Sequence, residues 1–199
     1  MLARRGKIGL ACLAEVSGLN TPPSGHTFGF MIGPRINAGG RIGSSDLGVR
    51  LLSTQSGDEA LGLAAALDEL NIRRREIEQE IRAHAMDMAA EQADRPVVLV
   101  GHPDWHEGVI GIVAGRLREV LGKPACVVSL GADGAGKGSG RSIPGFRLGS
   151  AVIAASQAGV IAGGGGMTWR PGSASTRARW VIFTISCVTG SPATSAPDH

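Results

Sequence analysis

The sequence has no tyrosine, and aromatic residues make up only 4% of its 199 positions. Hydrophobic residues account for 43%, which is enough for a packed core in one large domain or two small ones. No apolar run approaches the ~20 residues that a membrane-spanning helix needs, so the sequence predicts no membrane association. The 31 glycines cluster instead of recurring at a fixed period, which excludes a collagen-like chain.

Cysteine is also scarce, and the three that occur, Cys12, Cys126 and Cys187, lie far apart in the sequence. Their odd number and the lack of a Cys-x-x-Cys pair exclude a disulfide framework and a zinc site of the common type. They are typical of the reduced thiols of a cytoplasmic protein. The net charge of +3 is compatible with a nucleic-acid partner but does not require one.

The most distinctive stretch runs from Gly136 to Ser142, where glycines alternate with polar and basic residues. Glycine lets backbone N–H groups approach a ligand closely, because it has no Cβ atom. Lysine supplies a point charge, arginine a planar fork of donors and serine a hydroxyl, and these groups bind phosphate oxygens. The candidate phosphate ligands are Lys137, Ser139, Gly140, Arg141 and Ser142. The alternative is a flexible glycine turn with two incidental cations.

A second glycine-rich segment, Phe28–Arg41, begins with an apolar run and then holds two arginines, an asparagine and several glycines. It is interpreted either as a structural turn or as a second element that contacts anions. Arg41 is the better candidate for an anion ligand in this segment, because glycines lie on both sides of it in the sequence.

A long helix is predicted over residues 60–92, which hold no proline and a single glycine. Ser56 and Glu59 form a Ser-x-x-Glu capping box ahead of it. The long or apolar side chains that recur in steps of three and four and mark one face are Leu63, Leu67, Leu70, Arg74, Ile77, Ile81, His84 and Met88. The length predicts a connector between two lobes. The run Arg73–Arg75 is interpreted as an ion-paired, solvated face, and His84 as helix surface.

Beyond residue 95 the pattern strand–helix–strand–strand–helix predicts a small α/β domain. The strands are predicted at residues 97–100, 125–130 and 136–142, and the helices at residues 109–121 and 146–158. Within the first of these helices, Gly111 and Gly115 lie four residues apart, which predicts close packing of the helix on a neighbouring backbone.

The loop His102–Gly108 precedes that helix and holds the other candidate ligands. Trp105 is interpreted either as a platform on which a base stacks or as a cap on the core. A metal site at His102, Asp104, His106 and Glu107 is disfavoured, because the spacing fits no metal motif. The loop also opens a helix N-terminus, which favours anions over cations. Contact with a phosphate or nucleotide is therefore predicted here.

Four motifs in one order resemble the RecJ family of bacterial single-stranded-DNA exonucleases, which belongs to the DHH phosphoesterase superfamily. They are Gly33–Arg41, the helical stretch Leu67–Glu78, the segment His102–Ala114 and the segment Gly138–Gly145. The resemblance runs from about Ala3 to Gly166. It implies a catalytic lobe with a Mn²⁺ or Mg²⁺ site, a long connecting helix and a smaller DHH-associated domain with a mixed sheet, with single-stranded DNA threaded between the lobes for 5′→3′ hydrolysis. It also implies DNA contacts for Arg41, His106, Ser139, Arg141 and Ser142.

The sequence departs from this family in having no Asp-His-His motif and no aspartate cluster. We therefore expect that the catalytic lobe is missing, and that this chain holds no catalytic residue, binds no metal by itself and gives no sign of forming an oligomer. The predicted division is a remnant of the catalytic lobe at residues 1–52, the connecting helix at 53–94, the DHH-associated domain at 95–166 and an aberrant tail at 167–199.

The aberrant tail is attributed to a frameshift near Gly166, because the family expects histidine and Met-Ala-Ala-Gly after the glycine run. Reading the codons one base out of step restores a family-like continuation. The apolar segment Trp180–Val188 is then accidental and prone to aggregate, and the alternative is a genuine C-terminal strand. Two alternatives stay open: another DHH phosphoesterase that acts on short oligonucleotides or cyclic dinucleotides, and a non-catalytic nucleic-acid-binding module like the C-terminal domain of alanyl-tRNA synthetases.

Overall fold

A computed structural model of the chain describes residues 8–19, 24–131, 135–158 and 161, and the backbone of residues 167–169. Contacts divide the chain into two compact units, Met1–Ile77 and Glu78–His199. The boundary falls within one continuous helix, α5 (Gly57–Ala90), which is the long helix expected from the sequence. The four-part division by residue number stays a prediction.

The first unit is helical. Its elements are α1 (Ile8–Val16), α2 (Gly25–Thr27), a π-helical segment (Phe28–Ile32), α3 (Gly33–Ile42), α4 (Asp46–Ser53) and the beginning of α5. Its core is formed by the buried residues Leu13, Ala14, Ile32, Leu51, Leu63, Ala64 and Leu67.

The glycine-rich segment before Arg41 is a helix, so its interpretation as a structural turn is wrong. Pro34 lies in the first turn of α3, a position at which its fixed φ suits a helix. The preceding π-helical segment leads into α3, since the Gly33 N–H donates to the Phe28 carbonyl. Continuous helical hydrogen bonding therefore outweighs the low helix propensity of the glycines.

The start of α5 follows the predicted capping box only in part. The Ser56 hydroxyl accepts a hydrogen bond from the Glu59 N–H at 3.3 Å. The Glu59 carboxylate accepts from the Thr54 hydroxyl at 2.6 Å and from Arg50 at 3.0 Å. These two donors hold the pKa of the Glu59 carboxyl below its ordinary value, the Thr54 hydroxyl being the larger cause. The reciprocal bond of a capping box is thus replaced by contacts to the preceding helix.

The buried positions of α5 follow the predicted face at Leu63, Leu67 and Ile81. Arg74 is also buried, at 8% exposed, so the interpretation of Arg73–Arg75 as a fully solvated run is wrong at its middle residue. The Arg74 guanidinium donates to the Asn71 side-chain oxygen at 3.2 Å. A guanidinium can lie in a helix interface when its stem packs on apolar neighbours and its head keeps polar partners.

The second unit holds a four-stranded mixed sheet with the order β1-β2-β3-β4. Its elements are β1 (Val98–His102), α6 (Glu107–Leu121), β2 (Ala125–Leu130), β3 (Gly136–Arg141), α7 (Leu148–Gln157) and β4 (Met167–Trp169). β1 and β2 are parallel and joined by α6, whereas β2–β3 and β3–β4 are antiparallel. The fold class predicted from the sequence, a long helix with a small mixed α/β domain, is confirmed.

The two faces of this sheet differ in character. One face packs with α7 into an apolar core that contains Val97, Leu99, Cys126, Val128, Leu148, Ala151, Ala155 and Ile161. Alternation along the strands places Val98, Val100 and Val127 on the opposite face. The apolar stripe of α6, from Val109 to Leu117, is buried. Cys126 is buried and Cys12 is half-buried, while Cys187 lies outside the described residues.

The outer side of β1 is closed by a side chain. The Gln92 amide nitrogen donates to the Leu99 carbonyl at 2.8 Å, and the Leu99 N–H donates to the Gln92 side-chain oxygen at 3.0 Å. The carboxamide thus makes the pair of bonds that a neighbouring strand would make. A sheet edge with an unpaired backbone is a site of unwanted association, and Gln92 removes part of that risk.

The predicted break after Gly166 lies just before β4, whose backbone pairs with β3 from Gly136 to Gly138. Residues 162–166 and 170–199 lie outside the described part of the chain, and so does the segment Trp180–Val188. The frameshift stays a prediction. Among the helices that the structure describes, none has the length and apolar composition that crossing a bilayer requires.

Candidate nucleic-acid interface

Three of the predicted phosphate ligands lie in one row on β3. Lys137, Ser139 and Arg141 occupy alternate positions, so their side chains share a face of the sheet. In the register of the sheet they lie opposite Ser129, Val127 and Ala125 of β2. Successive members of the row are about 6.8 Å apart along the strand. The row therefore offers an ammonium, a hydroxyl and a guanidinium at regular intervals along one line.

The Arg141 guanidinium is held in place by its own strand. Its Nη1 donates to the Ser139 hydroxyl oxygen at 3.1 Å and to the Gly140 carbonyl at 2.9 Å. Because Ser139 accepts this bond through a lone pair, its hydroxyl proton is still available to a phosphate oxygen. The Nε and Nη2 donors of the fork can serve the same anion. Gly140 thus acts through its carbonyl, as a support for Arg141.

Helix α6 approaches this row most closely at Gly111. A Cβ atom built on Gly111 would lie 3.0 Å from the Ser139 Oγ and 3.2 Å from the Arg141 Nη2. Both distances are tighter than ordinary van der Waals contact, so a Cβ atom at this position requires the Ser139 hydroxyl and the Arg141 guanidinium to shift by a few tenths of an ångström. At Gly115, one turn further on, a Cβ atom would meet nothing within 4 Å. The predicted close packing therefore holds at Gly111 and is wrong at Gly115.

This difference between two glycines of one helix gives a matched pair of variants. We expect Gly111→Ala to weaken single-stranded-DNA binding severalfold, because the new methyl group pushes Ser139 and Arg141 out of position. Gly115→Ala should leave binding unchanged and stabilise the fold by about 0.5–1 kcal/mol, the gain in helix propensity. Fluorescence anisotropy with a labelled oligonucleotide and urea denaturation measure the two effects. Equal affinities for the two variants would contradict the assigned role of Gly111.

The loop before α6 is organised around Trp105 and His106. Trp105 is 5% exposed, and its carbonyl accepts a hydrogen bond from the Ser129 hydroxyl on β2. Its ring centre lies 5.5 Å from that of His84 and 6.0 Å from that of His102. This burial favours the interpretation of Trp105 as a cap on the core, since its ring has no open face on which a base can stack. His84 lies on the exposed surface of α5, as expected.

His106 is the N-cap residue of α6. Its Nδ1 accepts a hydrogen bond from the Gly108 N–H at 3.0 Å. In the neutral ring this leaves the proton on Nε2, where it can be donated to an anion. The side chain is exposed, so a phosphate can reach it.

Lys137 is engaged in an ion pair. Its Nζ lies 2.6 Å from the Oε2 of Glu107, the first residue of α6, and both side chains are more than half exposed. The loop and the row on β3 therefore meet at this pair. A negative charge at Glu107 is also favoured by the helix dipole, because it lies in the first turn.

Two other predicted ligands are placed differently. The Ser142 hydroxyl donates to the Phe146 carbonyl at 2.6 Å, so in this arrangement its proton is used within its own loop. Arg41 lies exposed in the last turn of α3, in the first unit, whereas the other seven candidates belong to the second. The structure thus brings Lys137, Ser139 and Arg141 together with His106.

Three residues that complete this interface were not among the predicted ligands. Glu107 holds Lys137, Gly111 makes room for Arg141, and Ser129 anchors the loop through the Trp105 carbonyl. The strand period could have indicated the place of Ser129 in the interface, because it puts Ser129 beside Lys137 once β2 and β3 are paired, but it does not indicate the hydrogen bond to Trp105. The other two depend on how α6 lies on the sheet.

The comparisons with known proteins agree with each other. The family model of the DHHA1 domain matches residues 63–168. The single-stranded-DNA-specific exonuclease RecJ of Salmonella typhimurium is 39% identical over 159 residues, which are 75% of this chain and 27% of that protein. RecJ of Bacillus subtilis is 37% identical over 150 residues, 74% of this chain and 19% of that protein. The chain thus spans roughly a quarter or less of the length of these curated relatives.

A solved structure extends the similarity to the fold. The crystal structure of RecJ in complex with Mn²⁺ from Thermus thermophilus matches with a TM-score of 0.77 and 27% sequence identity. The match covers 94% of this chain and 28% of that chain.

Proposed function

Because the chain belongs to the DHHA1 domain family, we propose that it is the nucleic-acid-binding part of a RecJ-type exonuclease that hydrolyses single-stranded DNA. The resemblance to RecJ predicted from the sequence is confirmed by relatives at 36–39% identity. The observation that carries the proposal is the Ser139–Arg141 pair, held ready for an anion beside Lys137 on one face of β3. We place this binding in the bacterial cytoplasm, where DNA repair and recombination take place.

In this proposal the backbone of a single strand runs along the row on β3. Arg141 binds a phosphate through its planar fork, with the Ser139 hydroxyl as a second donor. Lys137 and His106 bind next to it, one as a point charge and the other through its Nε2 proton. None of these groups reads a base edge, so the contacts position the strand without selecting its sequence. Arg41 is proposed as a separate phosphate contact on the first unit.

The residues around this row do not fit a divalent cation. Mn²⁺ and Mg²⁺ prefer oxygen ligands, chiefly carboxylates. The row instead presents cationic and hydroxyl donors. In the described part of the chain, no three His, Cys, Asp or Glu side chains are grouped so that they could hold a metal ion. We therefore assign strand binding, and no chemical step, to the residues described.

Each of the two alternative functions requires a different ligand or a different kind of binding site. A cyclic-dinucleotide phosphoesterase requires a closed pocket for a small ligand, and an alanyl-tRNA-synthetase-like module requires structured RNA. The regular spacing of the row on β3 favours an extended single strand over either. The similarity to RecJ over 75% of the chain favours the exonuclease family.

The test compares ligands on the purified 199-residue chain. We expect weak binding of a single-stranded oligonucleotide, in the micromolar range or above, with a salt dependence of about 0.7 in log K per log salt for each phosphate bound. Transfer RNA and a cyclic dinucleotide should bind less well than the oligonucleotide. Incubation of the labelled oligonucleotide with Mn²⁺ should release no nucleotide. Preference for tRNA, or release of nucleotides, would contradict the proposal.

A further inference from the structure

The ion pair between Lys137 and Glu107 conflicts with the use of Lys137 as a phosphate ligand. The Nζ–Oε2 distance of 2.6 Å is that of a direct, charge-assisted hydrogen bond. A carboxylate and a phosphate are both anionic acceptors for the N–H donors of an ammonium group. The Lys137 ammonium group therefore binds a phosphate less tightly while it is paired with Glu107. The anion position at this end of the row is therefore already filled by a side chain of the protein.

We propose that Glu107 acts as an internal competitor of phosphate at Lys137, so that a DNA backbone binds there only by displacing the carboxylate. This inference rests on the proposed function, because it concerns the same row on β3. In this view Glu107 sets the affinity of the row for DNA, whereas the residues of the row supply the contacts.

Three features of the pair support competition over a purely structural bridge. Lys137 is 66% exposed and Glu107 55%, so a strand can reach both, and such exposed pairs add little to stability. Glu107 lies in the first turn of α6, where the helix dipole attracts an anion of either kind. Its neighbour His106 presents an exposed imidazole to the same region.

The contacts of the other row members indicate that Lys137 is the residue whose phosphate binding is opposed by a carboxylate. Arg141 is held by a serine hydroxyl and a backbone carbonyl, neither of which carries a charge that competes with phosphate. Lys137 alone among the three members of the row is paired with a carboxylate in the described structure. Competition at Lys137 weakens one contact and leaves the main one at Arg141 intact. The strand is then easier to release and to advance.

The principal experiment is a double-mutant cycle on the full chain with a single-stranded oligonucleotide. We expect Glu107→Gln to raise affinity about three- to tenfold and to steepen the salt dependence by about 0.7, the increment for one more phosphate contact. Lys137→Ala should lower affinity by a smaller factor in the native chain than in the Glu107→Gln background, because in the native chain Glu107 already occupies the ammonium group. In the Glu107→Gln background the same change should remove the whole gain.

The matched control is Glu119→Gln on the same helix. Glu119 is 51% exposed and pairs with Arg116 and Arg118, so its neutralisation changes the net charge equally without touching Lys137. Its affinity should stay within twofold of the native chain. An equal gain from Glu119→Gln, no gain from Glu107→Gln, or additive effects of Glu107→Gln and Lys137→Ala would each overturn the inference.

A second readout separates this inference from the proposed function. Inorganic phosphate is titrated into the labelled chain, and the amide signal of Lys137 is followed by NMR. Glu107→Gln should lower the half-saturating phosphate concentration severalfold, whether or not DNA binds. An unchanged phosphate response with DNA binding retained overturns the competition and leaves the proposed function standing. If Glu107→Gln lowers the half-saturating phosphate concentration but the chain binds no DNA, the proposed function is overturned and the competition at Lys137 stands.

Discussion

Arg141→Ala lowers the affinity of the chain for single-stranded DNA about tenfold, which is the largest effect on binding that we expect from one substitution. The Arg141 side chain is already fixed by the Ser139 hydroxyl and the Gly140 carbonyl, so little conformational freedom is lost when it binds. Hydrogen bonds to charged groups contribute about 1.5–3 kcal/mol, and exposure to water places this one near the lower bound. A loss of about 1.4 kcal/mol corresponds to tenfold in affinity.

Salt dependence and a matched arginine make this result specific. Loss of one phosphate contact should flatten the slope of log K against log salt by about 0.7. Arg141→Lys should recover part of the affinity, because it keeps the charge but not the planar fork. Arg116→Ala removes the same charge from an exposed arginine that is paired with Glu119 and Glu78, and should change affinity little. Equal losses from Arg116→Ala and Arg141→Ala would show that net charge alone controls binding.

Gln92→Ala destabilises the second unit by about 2 kcal/mol. The substitution removes both hydrogen bonds from Gln92 to Leu99, which is 5% exposed. The Leu99 N–H and carbonyl then lose these partners at the edge of β1. A buried polar group without a partner costs about 1–3 kcal/mol. Two such groups are left here, and water that reaches the strand edge offsets part of their combined cost. In a domain of roughly 100 residues about 1 kcal/mol corresponds to roughly 4–8 °C, so the melting temperature should fall by about 8–16 °C.

Hydrogen exchange at the Leu99 amide gives the local readout of this effect. The amide is protected by the Gln92 side chain in the native chain, so Gln92→Ala should accelerate its exchange more than that of neighbouring strand amides. Gln79→Ala is the control, since Gln79 is exposed on α5. Equal destabilisation by the two variants, or an unchanged Leu99 exchange rate, would contradict the role of Gln92 as an edge cap.

Elements with a strong local signal were predictable from the sequence. The apolar period predicted α5, the β-branched runs predicted β1 and β2, and the alternation of glycine with polar residues indicated the row on β3. In each case the pattern lies within a single element, where local chemistry decides the conformation.

Features that depend on contacts between distant segments were not predictable. The ion pair of Glu107 joins a helix start to a strand thirty positions later, and the Gln92 bridge depends on where the chain turns after α5. Arg74 lies in a run of charged residues that suggests solvent, yet its position on the buried face of α5 decides its environment. Glycine content also misled at α3, where helical hydrogen bonding overrides propensity.

The central claim is that the exposed row on β3 beside the first half of α6 (Lys137, Ser139 and Arg141) binds the backbone of single-stranded DNA. Amide chemical-shift mapping of the full chain with a short oligonucleotide tests it most directly. We predict that the largest shifts fall on Lys137–Arg141 and on His106–Gly111, and that high salt reverses them. Largest shifts on α7, at Ala151 and Ala155, or no response at any oligonucleotide concentration, would contradict the claim.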